Sequence, residues 1–102
     1  MLQAADLTIR LHPEDDVVIA RAEIAAGTLI AREKVRALAG IPAGHKLAVR
    51  AVEPGRPVRR YNQIIGFATR AIQAGEHVHV HNLAMGEFER DYAFSKDVKP
   101  VE

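Results

Sequence analysis

Short runs of alternating or continuous apolar residues recur along the chain and predict β-strands. Residues 7–11 alternate strictly between apolar and polar, and residues 17–20 form a continuous, largely β-branched run. Residues 46–51 alternate again, and an apolar run over residues 64–69 is interrupted by Gly66. A glycine inside a strand indicates a bulge or the close approach of another backbone.

The segments between these runs carry turn signals. Residues 12–16 combine a proline with three acidic residues, and residues 61–63 precede the last of the four apolar runs. Residues 32–38 fit either a short helix of one or two turns or a hairpin that bends near Glu33 and Lys34. Because short strands are predicted on both sides, we favour the hairpin.

One pattern occurs four times: an aliphatic residue, two spacers, glycine, two spacers and another aliphatic residue. The copies are residues 24–30, 41–47, 52–58 and 72–78. A glycine in such a setting is typical of a tight turn that needs positive φ. The irregular spacing of the copies excludes a solenoid with a fixed repeat. We therefore predict one turn type that starts four strands, in a mostly β, single-domain fold with bent hairpins.

Length, composition and charge exclude several classes of protein. A chain of 102 residues is of single-domain size, and a hydrophobic content of 48% argues against disorder. The net charge is +1 and the basic residues are dispersed, which gives no support for nucleic-acid or membrane-surface binding. No apolar run approaches about 20 residues, and no signal-peptide pattern is present, so we expect a cytoplasmic protein. Residues 1–86 are predicted to form the domain, and residues 87–102 a tail or a segment that contacts a partner.

Three of the five histidines lie at alternate positions: His77, His79 and His81. In an extended strand they share one face, while the intervening Val78 and Val80 point towards a core. Residues two apart on a strand face are about 6.6–6.8 Å apart at Cα, so a neighbouring histidine pair is able to bind one metal ion. All three reach one ion only if the strand bends. The alternative is a row of solvated histidines on the outer face of the strand.

Other polar residues each admit two interpretations. His45 joins the histidine cluster if the second and fourth glycine turns are neighbours. His12 either caps a turn or lines a site, and the acids at 14–16 either act as a base or metal ligands or form a solvated turn. Asn82 either hydrogen-bonds a substrate or ends the strand. No phosphate-binding or dinucleotide-binding glycine motif is present, and no Ser/His/Asp order is found.

Four segments together resemble the SAF-type β-clip domain at the N-terminus of the altronate and galactarate dehydratase family. They occur in the family's order and are residues 11–17, 41–46, 61–69 and 75–82. The resemblance covers residues 7–83. Two positions depart from the family's pattern, because Val80 stands where a small polar residue is expected and Asp16 stands where asparagine is common.

The resemblance implies the small subunit, or excised N-terminal domain, of a sugar-acid hydro-lyase that is inactive alone. Such an enzyme removes water from an aldonate or aldarate, such as altronate or galactarate, and leaves a 2-keto-3-deoxy acid. The resemblance also implies Fe²⁺ or Mn²⁺ as the cofactor and a larger catalytic subunit as the partner. The implied site consists of catalytic His45 and His79, substrate-binding His12, His77 and Asn82, and a metal held by His79 and His81.

Other functions remain open on the sequence. The same domain resembles the small subunit of (2R)-sulfolactate sulfo-lyase, which expels sulfite in place of water. A non-enzymatic alternative is a stand-alone SAF-type module that binds a carbohydrate acid, and a structural one is an assembly domain whose histidines are incidental. Unpaired sheet edges also leave a homo-oligomer open.

Overall fold

The computed structural model describes residues 7–84, which form nine short β-strands and no helix. The predicted mostly β fold is confirmed, and within these residues nothing forms a helix long and apolar enough to cross a membrane. The predicted C-terminal segment, residues 87–102, lies outside the described residues. The strands are β1 (Thr8–Ile9), β2 (Val17–Ala20), β3 (Leu29–Ile30), β4 (Val35–Arg36), β5 (Lys46–Ala48), β6 (Pro57–Arg60), β7 (Gln63–Ala68), β8 (His77–Val78) and β9 (Leu83–Ala84).

The strands pair in antiparallel fashion and form three small sheets. The largest has the order β1-β2-β5-β8, so β5 lies between β2 and β8. In its register Val18 lies opposite Leu47, and Leu47 lies opposite His77. β3 pairs with β4, and the third sheet has the order β6-β7-β9. The pairing of β5 with β8 brings together two segments that are distant in sequence.

The four glycines of the repeated pattern adopt positive φ, between +83° and +98°. In each copy the residue after the glycine donates its N–H to the carbonyl three positions earlier, over 3.0–3.2 Å. These are features of a type II β-turn, which requires positive φ at its third residue. One residue separates each glycine from the next strand, which is β3, β5, β6 or β8. The prediction of one turn type that starts four strands is confirmed.

Backbone hydrogen bonds divide the described chain into two similar halves. Residues Ile24 and Ile41, which open the first two copies, exchange two hydrogen bonds, and the second two copies are joined in the same way. Gly44 N–H donates to β2 over 2.8 Å, and Gly75 N–H donates to β5 over 2.7 Å. The N–H groups of Gly27 and Gly55 each donate to a carbonyl at the end of the hairpin that follows, formed by β3 and β4 or by β6 and β7. Unequal hairpin lengths explain why the sequence spacing is irregular although the fold repeats.

Each half has its own apolar core. Neighbouring residues of β2 and of β5 point to opposite faces, so both strands contribute to both cores. Opening either core therefore disturbs the other. The first core contains Val18, Ala20, Ile24, Ile30, Val35, Ala37, Ile41 and Leu47, and the second contains Val17, Ala48, Val52, Val58, Ala68, Ile72 and Val78.

Three local predictions are confirmed. The hairpin favoured for residues 32–38 is present, because β4 returns antiparallel to β3. Tyr61 and Asn62 form the turn between β6 and β7 with φ of 57° and 59°, as in the hairpin turns that match strand twist. In β7, a Cβ on Gly66 would overlap the carbonyl oxygen of Ala84, so the glycine permits a close backbone approach.

The strand predicted across the histidines ends earlier than expected. β8 ends at Val78, and residues 79–82 form a turn. Val78 is buried as predicted, but Val80 is 78% exposed, so the prediction that Val80 points towards a core is wrong. The physical reason is Asn82, whose side-chain Oδ1 accepts the backbone N–H of His79 over 3.0 Å and closes the turn.

Two acids fasten the turn before β2 to the β6–β7 hairpin. Asp15 is fully buried, and its carboxylate oxygens accept the N–H groups of Tyr61 and Asn62, both over 2.7 Å. Asp16 Oδ2 accepts the N–H of Arg59 over 2.8 Å. Asp15 is therefore neither a solvated turn residue nor a group open to a substrate.

Asp15→Ala is expected to lower the free energy of unfolding by about 3 kcal/mol, because it removes two hydrogen bonds to a charged group and each contributes at least about 1.5 kcal/mol. The substitution leaves two N–H groups of a left-handed turn without their acceptor. Chemical denaturation of the full chain measures the loss. The control is Glu14→Ala at an exposed neighbour, which should change stability by less than about 0.5 kcal/mol. Equal stability of the two variants would show that the buried carboxylate does not fasten the hairpin.

Candidate functional site

The pairing of β5 with β8 brings His45 beside the other histidines. Lys46 lies opposite Val78, and His45 and His79 are the residues next to this pair, so their rings meet just beyond the end of the paired strands. His45 Nδ1 lies 2.9 Å from His77 Nε2, and the ring centroids of His45 and His79 are 4.8 Å apart. The second and fourth glycine turns are thus neighbours. From the sequence, His45 was expected to join the histidine cluster if these two turns were adjacent.

Three imidazoles converge closely enough to share one ion. One ligand nitrogen from each of His45, His77 and His79 lies within 4.8 Å of the other two, a grouping found among residues 7–84. His81 lies at the edge of the cluster, with its ring 5.6 Å from that of His77. The third nitrogen beside His77 and His79 therefore comes from His45, the residue before β5, and not from the next histidine along the chain.

The donor set is compatible with a divalent metal. His45 Nδ1 and His77 Nε2 lie within hydrogen-bonding distance, 2.9 Å, and these two residues and His79 would be the ones to hold a metal ion. Imidazole nitrogen suits Fe²⁺, whereas Mn²⁺ prefers oxygen ligands. Of the two metals implied by the resemblance, these residues fit Fe²⁺ better.

Asn82 fixes the backbone that carries His77 and His79. Its side chain is fully buried. Oδ1 accepts the N–H of His79, and Nδ2 donates to the carbonyl of His77, both over 3.0 Å. The backbone N–H of Asn82 also donates to the carbonyl of His79, over 3.1 Å. From the sequence, Asn82 was expected either to hydrogen-bond a substrate or to end the strand. These contacts are those of a residue that ends the strand.

Electrostatics favour the neutral form of His77. Burial lowers the pKa of His77 below its ordinary value, and the charges of His45, His79, His81 and Lys46 lower it further. A depressed pKa keeps the imidazole neutral at pH 7. The neutral form is the one that binds a metal ion or accepts a proton.

A cavity of about 300 Å³ lies beside the cluster, and His79 forms part of its wall. Burial lowers the pKa of the Lys46 ammonium in this cavity, and the charge of Arg60 lowers it further. Neither cation stood out in the sequence, because they meet only once β5 and the β6–β7 hairpin have packed. The cavity is lined by Lys46, Arg60, Ile65, His79, Val80 and Leu83.

The profile of the altronate/galactarate dehydratase SAF domain family matches residues 6–86. This chain belongs to that family. The resemblance inferred from the four segments is confirmed, and the matched region, residues 6–86, is its SAF domain. The small all-β architecture of this domain agrees with the β-clip that the resemblance implied.

The SAF domain is similar to a region of two longer enzymes and to part of an enzyme subunit. Altronate dehydratase of Escherichia coli (strain K12) is 37% identical over 76 residues, and that of Bacillus subtilis (strain 168) is 32% identical over 76 residues. Both alignments cover 72% of this chain, which spans only 15% of the length of either relative. A (2R)-sulfolactate sulfo-lyase subunit alpha of Chromohalobacter salexigens is 49% identical over 43 residues, which is 42% of this chain and 46% of that protein.

His12 closes a turn of the SAF domain. Its Nδ1 accepts the N–H of Glu14, and its carbonyl accepts the N–H of Asp15, both over 3.0 Å. Turn capping was one of the two interpretations of His12 from the sequence. Of the six predicted site residues, the structure groups His45, His77 and His79, places His81 at their edge, buries Asn82 beneath them, and gives His12 these turn contacts.

Proposed function

We propose that this chain is the small subunit of a sugar-acid hydro-lyase that eliminates water from an aldonate or aldarate such as altronate or galactarate. The observation that carries the proposal is the convergence of His45, His77 and His79 beside a cavity with two cationic side chains. Altronate dehydratases contain a similar region within much longer chains. The rest of the site is proposed to come from a larger catalytic subunit.

Elimination next to a carboxylate needs a base for the proton on the α-carbon and assistance for the hydroxide that leaves the β-carbon. His79 suits the base, because it is exposed and belongs both to the cluster and to the cavity wall. His45 and His77 suit a metal pair, in place of His79 and His81, because their ring nitrogens are 2.9 Å apart. Fe²⁺ held by them and by ligands of the larger subunit would supply a Lewis acid.

A sulfo-lyase subunit is the second candidate. It is favoured by the 49% identity over 43 residues to a sulfolactate sulfo-lyase subunit alpha. Its chemistry begins in the same way, with removal of the proton α to a carboxylate, and differs in the leaving group, which is sulfite. The residues of this chain therefore have the same roles in either reaction.

The test is an assay of the assembly that this chain forms in its native host. A tagged full chain is purified anaerobically with Fe²⁺, together with any protein bound to it. The purified assembly is then incubated separately with altronate, galactarate and sulfolactate. We expect a larger polypeptide to co-purify, and one of the three acids to be converted to a 2-keto acid. Chelation should abolish turnover, and added Fe²⁺ or Mn²⁺ should restore it.

The products separate the candidates. A 2-keto-3-deoxy acid from altronate or galactarate supports the hydro-lyase, whereas sulfite from sulfolactate supports the sulfo-lyase. An assembly that turns over none of the three acids in the presence of metal would contradict both. In that case, binding of a sugar acid by the chain alone would identify a non-enzymatic binding module.

A further inference from the structure

Two cations line the cavity beside the histidine cluster, and no acidic residue is among its six lining residues. The side chains of Lys46 and Arg60 line the same cavity. Like charges held together in a partly desolvated pocket repel one another, which costs stability unless an anion joins them. The pocket therefore offers a net positive charge to a ligand.

The Arg60 side chain lines the cavity and is only half-buried. Its Nε is buried and makes no hydrogen bond within the described part of the chain. Buried donors without a partner are uncommon in folded proteins, and each calls for an explanation. A carboxylate suits the guanidinium group, because two parallel N–H groups of a guanidinium bind the two oxygens of a carboxylate in one plane.

We propose that Lys46 and Arg60 form the subsite that binds the carboxylate of a hydroxy-acid substrate next to His79. The inference deepens the proposed function, because it assigns recognition of the substrate's acid group to this chain. The cavity volume of about 300 Å³ is enough for a carboxylate and the carbons attached to it. The apolar side chains of Ile65 and Leu83 also line the cavity, and an apolar wall lowers the local dielectric and strengthens the charge interaction.

The placement of His79 gives the subsite a role in the reaction. His79 lies in the cavity wall and in the histidine cluster, so a carboxylate bound by Lys46 and Arg60 has its α-carbon next to an imidazole. Fixing the acid group in this way orients the α-proton towards the base. Lys46 and Arg60 are thus proposed as positioning residues, and the histidines as the groups that act on the proton.

The experiment is an NMR titration of the isotopically labelled full chain. Galactarate should shift the Arg60 Nε–H resonance in a saturable manner. Galactitol, which keeps the secondary hydroxyls and has uncharged CH₂OH groups in place of the carboxylates, should not. Arg60→Gln should weaken galactarate binding at least tenfold. Arg56→Gln, at an exposed arginine outside this cavity, is the matched control and should bind as the wild type does.

Several outcomes would overturn the assignment. One is equal binding by the Arg60 and Arg56 variants. Another is equal binding of inorganic sulfate and galactarate, which would indicate a general anion site without recognition of the hydroxy acid. If Arg60→Gln destabilises the fold in a thermal melt, Lys46→Gln provides the second variant and is held to the same tenfold expectation.

Failure of this subsite and failure of the proposed function give different results. In the assembled enzyme, Arg60→Gln should raise KM at least tenfold and leave kcat less affected. If the assembly is active and Arg60→Gln leaves KM unchanged, the hydro-lyase proposal holds and the subsite proposal fails. If the chain binds galactarate through Arg60 but the assembly turns over no acid, the subsite proposal holds and the hydro-lyase proposal fails.

Discussion

Gly75→Ala is expected to lower the free energy of unfolding by about 4 kcal/mol, the magnitude seen for strain at special backbone positions in a packed interior. Gly75 has φ of +98°, which alanine rarely adopts. A Cβ at this position would also overlap the carbonyl oxygen of Arg36 and press on the side chain of Leu38. Relief is difficult, because Gly75 N–H donates to Ala48 and its carbonyl accepts from Leu38, over 2.7 and 2.9 Å.

Gly27→Ala is the matched control, because it separates backbone strain from overlap. Gly27 belongs to the same repeated turn and has φ of +89°, but a Cβ there would meet nothing within 4 Å. Only the conformational penalty remains, about 1–2 kcal/mol. Urea denaturation of the full chain compares the two variants. If the two variants lose the same free energy of unfolding within about 0.5 kcal/mol, the close contact between β4 and the fourth turn does not contribute to stability.

The turns and the fold class could be predicted from the sequence because their causes are local. Positive φ at Gly27 or Gly75 follows from the residue type and its two neighbours on either side. The hairpin over residues 32–38 has a weaker basis in the sequence, the strands on its flanks. The two-half arrangement could not be predicted, because hairpins of different length hide the repeat in the spacing.

The end of β8 could not be predicted from periodicity. Histidine and valine alternate up to His81. This alternation is compatible with a strand that continues to His81 and equally with a strand that ends earlier in a turn. The turn depends on one side chain, since Asn82 bonds back to His77 and His79. Asparagine at this position is compatible with a strand end, yet nothing in the pattern shows where the strand stops.

The candidate site could be predicted only in part. The histidine spacing indicated a ligand pair, and the position of His45 after Gly44 suggested a further member, which the β5–β8 register brings into place. Lys46 and Arg60 carried no signal, because basic residues are dispersed along the chain and these two are far apart in sequence. Asp15 has the sequence context of a turn acid, and its burial depends on the distant hairpin that it holds.

His79→Gln in the assembled enzyme is expected to lower kcat by about 10²–10⁴-fold, the usual contribution of a general base. Glutamine keeps the size and polarity of the side chain but cannot take up the α-proton. The fold should be unaffected, because the His79 side chain is exposed and its turn is held by backbone contacts to Asn82. A thermal melt that matches the wild type checks this.

The most direct test of the proposal that this SAF domain contributes to the reaction is kcat for His79→Gln beside Arg56→Gln in the purified assembly. Arg56 is the control, since its side chain is exposed and lies outside both the histidine cluster and the adjoining cavity. We expect Arg56→Gln to retain kcat within about threefold, and His79→Gln to lose at least about 10²-fold. Full activity of an assembly that carries His79→Gln would contradict a role for the histidine cluster in the elimination.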